Sequence, residues 1–234
     1  MLDLTCDEEG YQIFVQAMQT LLQALNTSPV EKKAFQLSPS KKNEAFLTSG
    51  TVQYVAASGN FMKQRNLPYT GALSVLKVIM GYEYLWTNIR VKGGAYGCMC
   101  SFGKNGDSYF VSYRDPNLKK TIDTYLQIAD YLRTFLADET VMTKYIIGTL
   151  SEIDTPLTPS AVGSRSQAAF LSNVSFEDIQ RERDQILNCN QEDIRKLADY
   201  MEAILEEEAI CVVGCPQAIE ENKELFLSTD HLFH

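Results

Sequence analysis

The sequence predicts an α+β fold, a mostly antiparallel open sheet with helices packed mainly on one face. Strand-like segments are short and widely separated, long stretches of helical apolar spacing lie between them, and one glycine-bearing connection joins two strands as a hairpin. Taken in order, Phe14, Val15, Met18, Leu21, Leu22 and Leu25 give residues 11–25 the pattern of an amphipathic helix that packs on the core. Residues 28–43 hold Pro29, Pro39, Lys32, Lys33, Lys41 and Lys42 and read as a connection with a solvated basic surface, so residues 1–43 form an N-terminal helix and connection. Val52, Tyr54 and Ala56 alternate with small or polar neighbours, predicting a strand over 51–57 that turns at Ser58-Gly59-Asn60.

After Pro68, the run Leu73, Val75, Leu76, Val78, Ile79, Met80, Tyr84, Leu85 and Trp86 is too long for a strand and apolar nearly all round, which predicts a buried helix ending near Arg90. Residues 95–102 and 108–113 flank Gly103-Lys104-Asn105-Gly106-Asp107 as two antiparallel strands. From Pro116 the pattern is helical, over 118–136, 139–153, 161–171, 176–187 and 192–205, with a turn-rich stretch around Pro156 and Pro159. Ser175 with Asp178, and Asn190 ahead of Glu192 and Asp193, mark two helix starts. Residues 209–213 read as a short, fully buried strand ending at Gly214, and Pro216 opens a final helix to Phe226. With no internal repeat and no low-complexity tract, a single domain over 1–234 is the simplest organisation.

At 234 residues and 45% hydrophobic, the chain is long enough for a substantial core. It holds no uninterrupted apolar run of ~20 residues and no amino-terminal signal segment, so it reads as soluble, with no membrane partner. The net charge of -9, with Glu206, Glu207 and Glu208 in a row, repels phosphate backbones and excludes nucleic acid as a partner. Six cysteines in a chain this long make no disulfide scaffold, and a reducing, cytoplasmic location fits them. Cys98 and Cys100 face the same way on a strand, and Cys211 and Cys215 bracket a strand end. Without a Cys-x-x-Cys pair they read as buried thiols rather than metal ligands.

The segment Arg90-Val91-Lys92-Gly93-Gly94-Ala95-Tyr96-Gly97 carries the chemistry. A guanidinium is a rigid fork of donors suited to carbonyl oxygens, and a phenol can donate to an oxygen that is gaining charge. By themselves Arg90 and Tyr96 read more simply as a helix-terminal cation and a strand aromatic, and Gly93 and Gly94 as a tight turn requiring positive φ rather than an anion nest. Lys92 reads as solvated, with a substrate contact as its alternative. The two histidines, His231 and His234, could share a helix face near the carboxyl end but read as a frayed terminus. Glu152 with Asp154, and Glu182 with Asp184, read as solvated charges rather than acid-base couples, and no core histidine is present to activate a nucleophile.

The strand ending in Tyr54-Val55-Ala56-Ala57, the buried helix, Arg90 to Gly97 and the hairpin together resemble the C-terminal half of the pitrilysin and insulinase family of zinc metallopeptidases, on its presequence-protease branch. Lys42-Asn43-Glu44-Ala45-Phe46 ahead of the strand is similar too, so the resemblance runs from about residue 40 to Val213. It implies a two-half enzyme that closes around short unstructured peptides, with zinc held by an N-terminal half on an inverted His-x-x-Glu-His motif that is absent here. It further implies that Arg90 holds substrate backbone and that Tyr96 stabilises the tetrahedral intermediate; Lys92, Gly93 and Gly94, in the segment between them, are the substrate-binding candidates. On this reading the full enzyme contains zinc, this chain binds none and is inactive alone, and its partners are the zinc-bearing half and unstructured peptides. The alternative is a non-catalytic peptidase-like scaffold or assembly subunit.

Overall fold

Between Gln53 and Asn60, Val55 and Ala57 turn to a buried face while Tyr54 and Ser58 stay exposed, and this alternation forms strand β2, Gln53–Asn60. The structure, a computed structural model, describes residues 3–25, 28–29, 31, 34–36 and 43–232. Lys32, Lys33, Pro39, Lys41, Lys42 and His234, which figure in the predicted connection and terminus, lie outside the described residues. Two compact units make up the chain, one of Met1–Pro39 with Thr155–Ile179 and one of Ser40–Asp154 with Gln180–His234.

The smaller unit is helical. Helix α1 spans Glu8–Ala24, with the Asp7 carboxylate accepting from the backbone N–H of Gly10 at 2.8 Å. The apolar spacing predicts this helix, and within its own unit no α1 residue is buried. Further along the chain Thr158 caps a helix that opens with Pro159 and runs to Leu171. Ser175 and Asp178 bond reciprocally at the start of the next helix, Phe176–Leu187, as their spacing predicts.

The larger unit holds a six-stranded sheet and its core. Strand β1 is Glu44–Leu47, β3 is Gly97–Phe102, β4 is Asp107–Asp115, β5 is Ala209–Gly214 and β6 is Ser228–His231, in the order β3-β4-β2-β5-β1-β6. The pairings β3 with β4, β4 with β2 and β2 with β5 are antiparallel, while β1 runs parallel to both β5 and β6. The sheet is therefore mixed. Four apolar-poor residues, Ser228 to His231, form β6 at an edge, all exposed, so period-two patterning has nothing to reveal there. His231 consequently sits on an extended strand instead of a helix face or frayed end. The turn predicted at Ser58-Gly59-Asn60 is absent because β2 continues to Asn60, whose side chain caps the short helix α2, Phe61–Arg65, accepting from the N–H of Lys63 at 2.8 Å.

Cross-strand neighbours Val55 and Ser112, Ala57 and Phe110, and Cys98 and Cys100 opposite them face the helices, whereas Tyr54, Met99, Tyr109 and Tyr113 stay exposed on the opposite face. Helix α3, Ala72–Ile79, packs against β3 and buries Leu73, Leu76 and Ile79 completely, each worth about 1.5–3 kcal/mol. Helices α4, Lys119–Leu126, and α5, Ile128–Arg133, replace the single helix expected over 118–136, the break falling at Gln127 with ψ near zero. The helix numbered α6 is Glu139–Ile153, α7 is Pro159–Leu171 and α8 is Phe176–Leu187. A second predicted helix also divides, into α9, Gln191–Lys196, and α10, Ala198–Leu205, with the Asn190 and Asp193 capping box at its start. The last helix stops early, with α11 at Pro216–Glu220. No helix among the described residues is long and apolar enough to cross a membrane.

Candidate functional site

Past Ile79 the apolar run keeps its helical course but widens. Residues Met80–Tyr84 and Trp86–Val91 are π-helical, the N–H of Lys92 reaching back five residues to the carbonyl of Thr87 at 2.9 Å. Trp86 and Arg90 lie one turn apart on this segment, and the Arg90 guanidinium carbon sits 5.6 Å from the Trp86 ring centroid. The same carbon is 5.9 Å from the ring of Tyr96, and Arg90 Nη1 donates to the Ala95 carbonyl at 3.1 Å. One of five guanidinium donors is thus used to close the turn. Arg90 and Tyr96 come together on the surface, Arg90 half-buried and Tyr96 66% exposed.

The turn between them uses its two glycines differently. Gly94 takes a positive φ of 82°, as expected of a tight helix-to-strand turn. Gly93 has no positive φ. Instead, a Cβ there would stand 2.4 Å from the backbone oxygen of Ile89, so its requirement is close approach of chain to chain. Lys92 is exposed at the end of the π-helical segment.

Tyr96 heads a short ladder of rings. Its ring meets Tyr113 edge-on at 5.5 Å between centroids, and Tyr113 meets Tyr54 in the same manner at 5.4 Å. These rings, with Met99, form an exposed apolar shelf on the sheet face away from the helices. Sequence pattern gives Trp86, Tyr54 and Tyr113 no place at the site and puts Trp86 in a buried run, whereas Trp86 is exposed; a tryptophan one helical turn before Arg90 is a legible signal for a stacked guanidinium.

The other candidates disperse. Glu152 pairs with Lys77 at 3.2 Å, Asp154 with Arg183 at 2.5 Å, and Glu182 with Lys104, so these acids act as ion-pair partners. Cys100 and Cys189 are buried, and burial pushes both thiols up to about 12. Cys98 is pushed up to about 11, by burial first and the Asp115 charge second, with Arg90 opposing. Cys211 departs from its expected burial and is exposed, as is Cys6. Among the described residues no three His, Cys, Asp or Glu side chains gather as a metal site, so these residues do not fit a catalytic zinc.

A family model described as the PreP C-terminal domain matches residues 43–216. The chain is 44% identical over 219 residues to Protein HypA of Clostridium perfringens, covering 94% of this chain and 22% of that protein. To presequence protease 1, chloroplastic/mitochondrial, of Arabidopsis thaliana it is 33% identical over 180 residues, covering 76% of this chain and 17% of the relative. The chain thus spans only a minor part of the length of these curated relatives. Among solved structures, the peptidase M16 inactive domain from Pseudomonas fluorescens aligns with a TM-score of 0.58 at 16% identity, over 86% of this chain and 50% of that one. Pitrilysin aligns with a TM-score of 0.56 at 15% identity, over 88% of this chain and 23% of its own. Similarity at that level of identity speaks for the fold alone.

Proposed function

We infer a role from one premise: this chain belongs to the PreP C-terminal domain family and is a C-terminal domain of a pitrilysin-type peptidase. Within such an enzyme it clamps the substrate and stabilises the transition state. The observation that carries this reading is the pairing of a stacked guanidinium with an exposed phenol 5.9 Å away, at the rim of an open sheet face. Arg90, fixed by Trp86 and by its bond to Ala95, presents its remaining donors to backbone carbonyls of an extended peptide. Tyr96 donates its hydroxyl to the scissile oxygen as that atom gains charge. Lys92, Gly93 and Gly94 border the peptide. The metal belongs to a zinc-bearing N-terminal half, because this chain has neither the motif nor a core histidine to hold it.

The reading is tested by assaying the chain on a fluorescence-quenched unstructured peptide, alone and with a zinc-bearing N-terminal half. Hydrolysis is expected only with both. In that assembly Tyr96→Phe is expected to lower kcat by about 10² to 10³ with little change in KM, the usual cost of losing one preorganised oxyanion donor. Full turnover in Tyr96→Phe would remove the tyrosine from the mechanism. Binding of the two halves with no hydrolysis under any condition would favour the alternative, a non-catalytic scaffold.

A further inference from the structure

Strand β4 ends in Asp115, a carboxylate with no exposed surface. Such a group needs donors in place of water. One oxygen accepts from the backbone N–H of Asn117 at 2.8 Å and from its Nδ2 at 3.3 Å, and the other accepts from the buried Thr121 hydroxyl at 2.6 Å. The Asn117 amide, held in this way, spends Nδ2 a second time on the carbonyl of Gly93 at 2.7 Å.

That carbonyl belongs to the turn that joins Arg90 to Tyr96. The turn is closed by Gly94 N–H to Arg90 O at 3.2 Å and by Ala95 N–H to Ile89 O at 3.1 Å. On its far side the N–H of Tyr96 is shared between the carbonyls of Tyr113, at 3.1 Å, and Arg114, at 3.3 Å. Arg114 itself stands in the left-handed region at φ 49°, and a Cβ on Gly94 would lie 3.6 Å from Pro116. Residues 114–117 therefore form a bed for the turn, anchored by one buried acid.

We propose that Asp115, acting through Asn117, is a positioning residue that keeps Arg90 and Tyr96 in their shared geometry, an inference that rests on the role given to that pair above. Neither Asp115 nor Asn117 touches the substrate. Their effect passes through the Gly93 carbonyl, so it is expected in turnover and in the local order of the turn.

The test uses Asn117→Ala in the full chain, with the zinc-bearing half and the quenched peptide. Its kcat is expected to fall at least about 10-fold with KM within about threefold, since a misplacement of ~1 Å costs up to about 10² in rate. In a Tyr96→Phe background the same substitution is expected to lower kcat several-fold less than in the parent, because the hydroxyl, one of the two groups being positioned, is already gone. An equal fall in both backgrounds marks a merely structural residue and overturns the proposal. Two measurements on the chain alone stand apart from hydrolysis. Deuterium exchange at the Gly94 and Ala95 amides is expected to quicken at least about 10-fold in Asn117→Ala. Emission of Trp86, the single tryptophan, is expected to shift as Arg90 loosens over it. Thr121→Val, which keeps side-chain shape while removing one bond to Asp115, is expected to move both in the same direction. If the parent assembly hydrolyses nothing, the clamp reading fails and the exchange and emission results alone decide the positioning. Unchanged values there overturn it.

Discussion

Gly93 and Gly94 stand side by side, yet a methyl group would injure them by different routes. At Gly94 an added Cβ has room, its nearest neighbour being Pro116 at 3.6 Å, so Gly94→Ala carries only the conformational cost of φ 82°, about 1–2 kcal/mol. At Gly93 the added Cβ meets backbone oxygens of Ile89 at 2.4 Å and Asn88 at 3.0 Å, which cannot swing aside as a side chain would. Gly93→Ala is therefore expected to destabilise more than Gly94→Ala in chemical denaturation. Gly94→Asn should recover part of the loss, asparagine tolerating the left-handed region. A larger loss at Gly94 than at Gly93 would contradict this account of the turn. The residue string itself made Arg90, the glycines and Tyr96 visible, because their types are unusual in that order at a helix-to-strand junction. Asp115 and Asn117 were not visible, since their reach to Gly93 spans more than twenty residues of sequence and depends on how β4 ends. The tyrosine ladder was hidden for the same reason, cross-strand register being a tertiary property.

The long apolar run, the hairpin and the segments with capping signals were legible because each rests on local periodicity or local capping chemistry. What local pattern does not contain went unread. The division at Gln127, the edge strand β6 and the parallel placement of β1 are set by packing against distant elements. Strand β3 carries a consequence for pH. Cys98 and Cys100 both face the helices, and burial raises their thiols from an ordinary 9.0 to about 11 and about 12, as it raises Cys189 in the helical layer to about 12. A folded-state value above the unfolded one means that the folded protein holds the proton longer, so the stabilisation is complete below pH 9.0 and is lost as pH rises towards the folded values. The unfolding free energy is thus expected to begin its decline above pH 9, from these thiols first. Tyr84 and Tyr131, raised from 10.0 to about 12, add to the decline only above their ordinary value. Replacing Cys98 and Cys100 together by alanine should flatten the stability profile between pH 9 and 10 while lowering its plateau through lost packing. An unaltered slope in that window would mean that the thiols titrate alike in both states.

Across the whole chain, burial is distributed unequally between the two units, and that inequality sets local stability. In the larger unit, α3 and α10 bury Leu73, Leu76, Ile79, Met201 and Ile204 completely. Their amides open only when that core opens. In the smaller unit, α1 and α7 bury no residue at all, and Ile13 and Phe170 are 64% and 76% exposed. Helices of 17 and 13 residues are marginal in water without packing, since nucleation is costly and propagation nearly neutral. Caps at Asp7 and Thr158 help each by only about 1 kcal/mol. Amide deuterium exchange on the chain alone should therefore separate two populations, α1 and α7 exchanging through local opening at low free energy, and α3 and α10 approaching the global value. Because local opening does not require the core to unfold, dilute denaturant should accelerate α3 and α10 steeply and leave α1 and α7 nearly unaffected. Equal protection and equal denaturant dependence in all four helices would contradict this account.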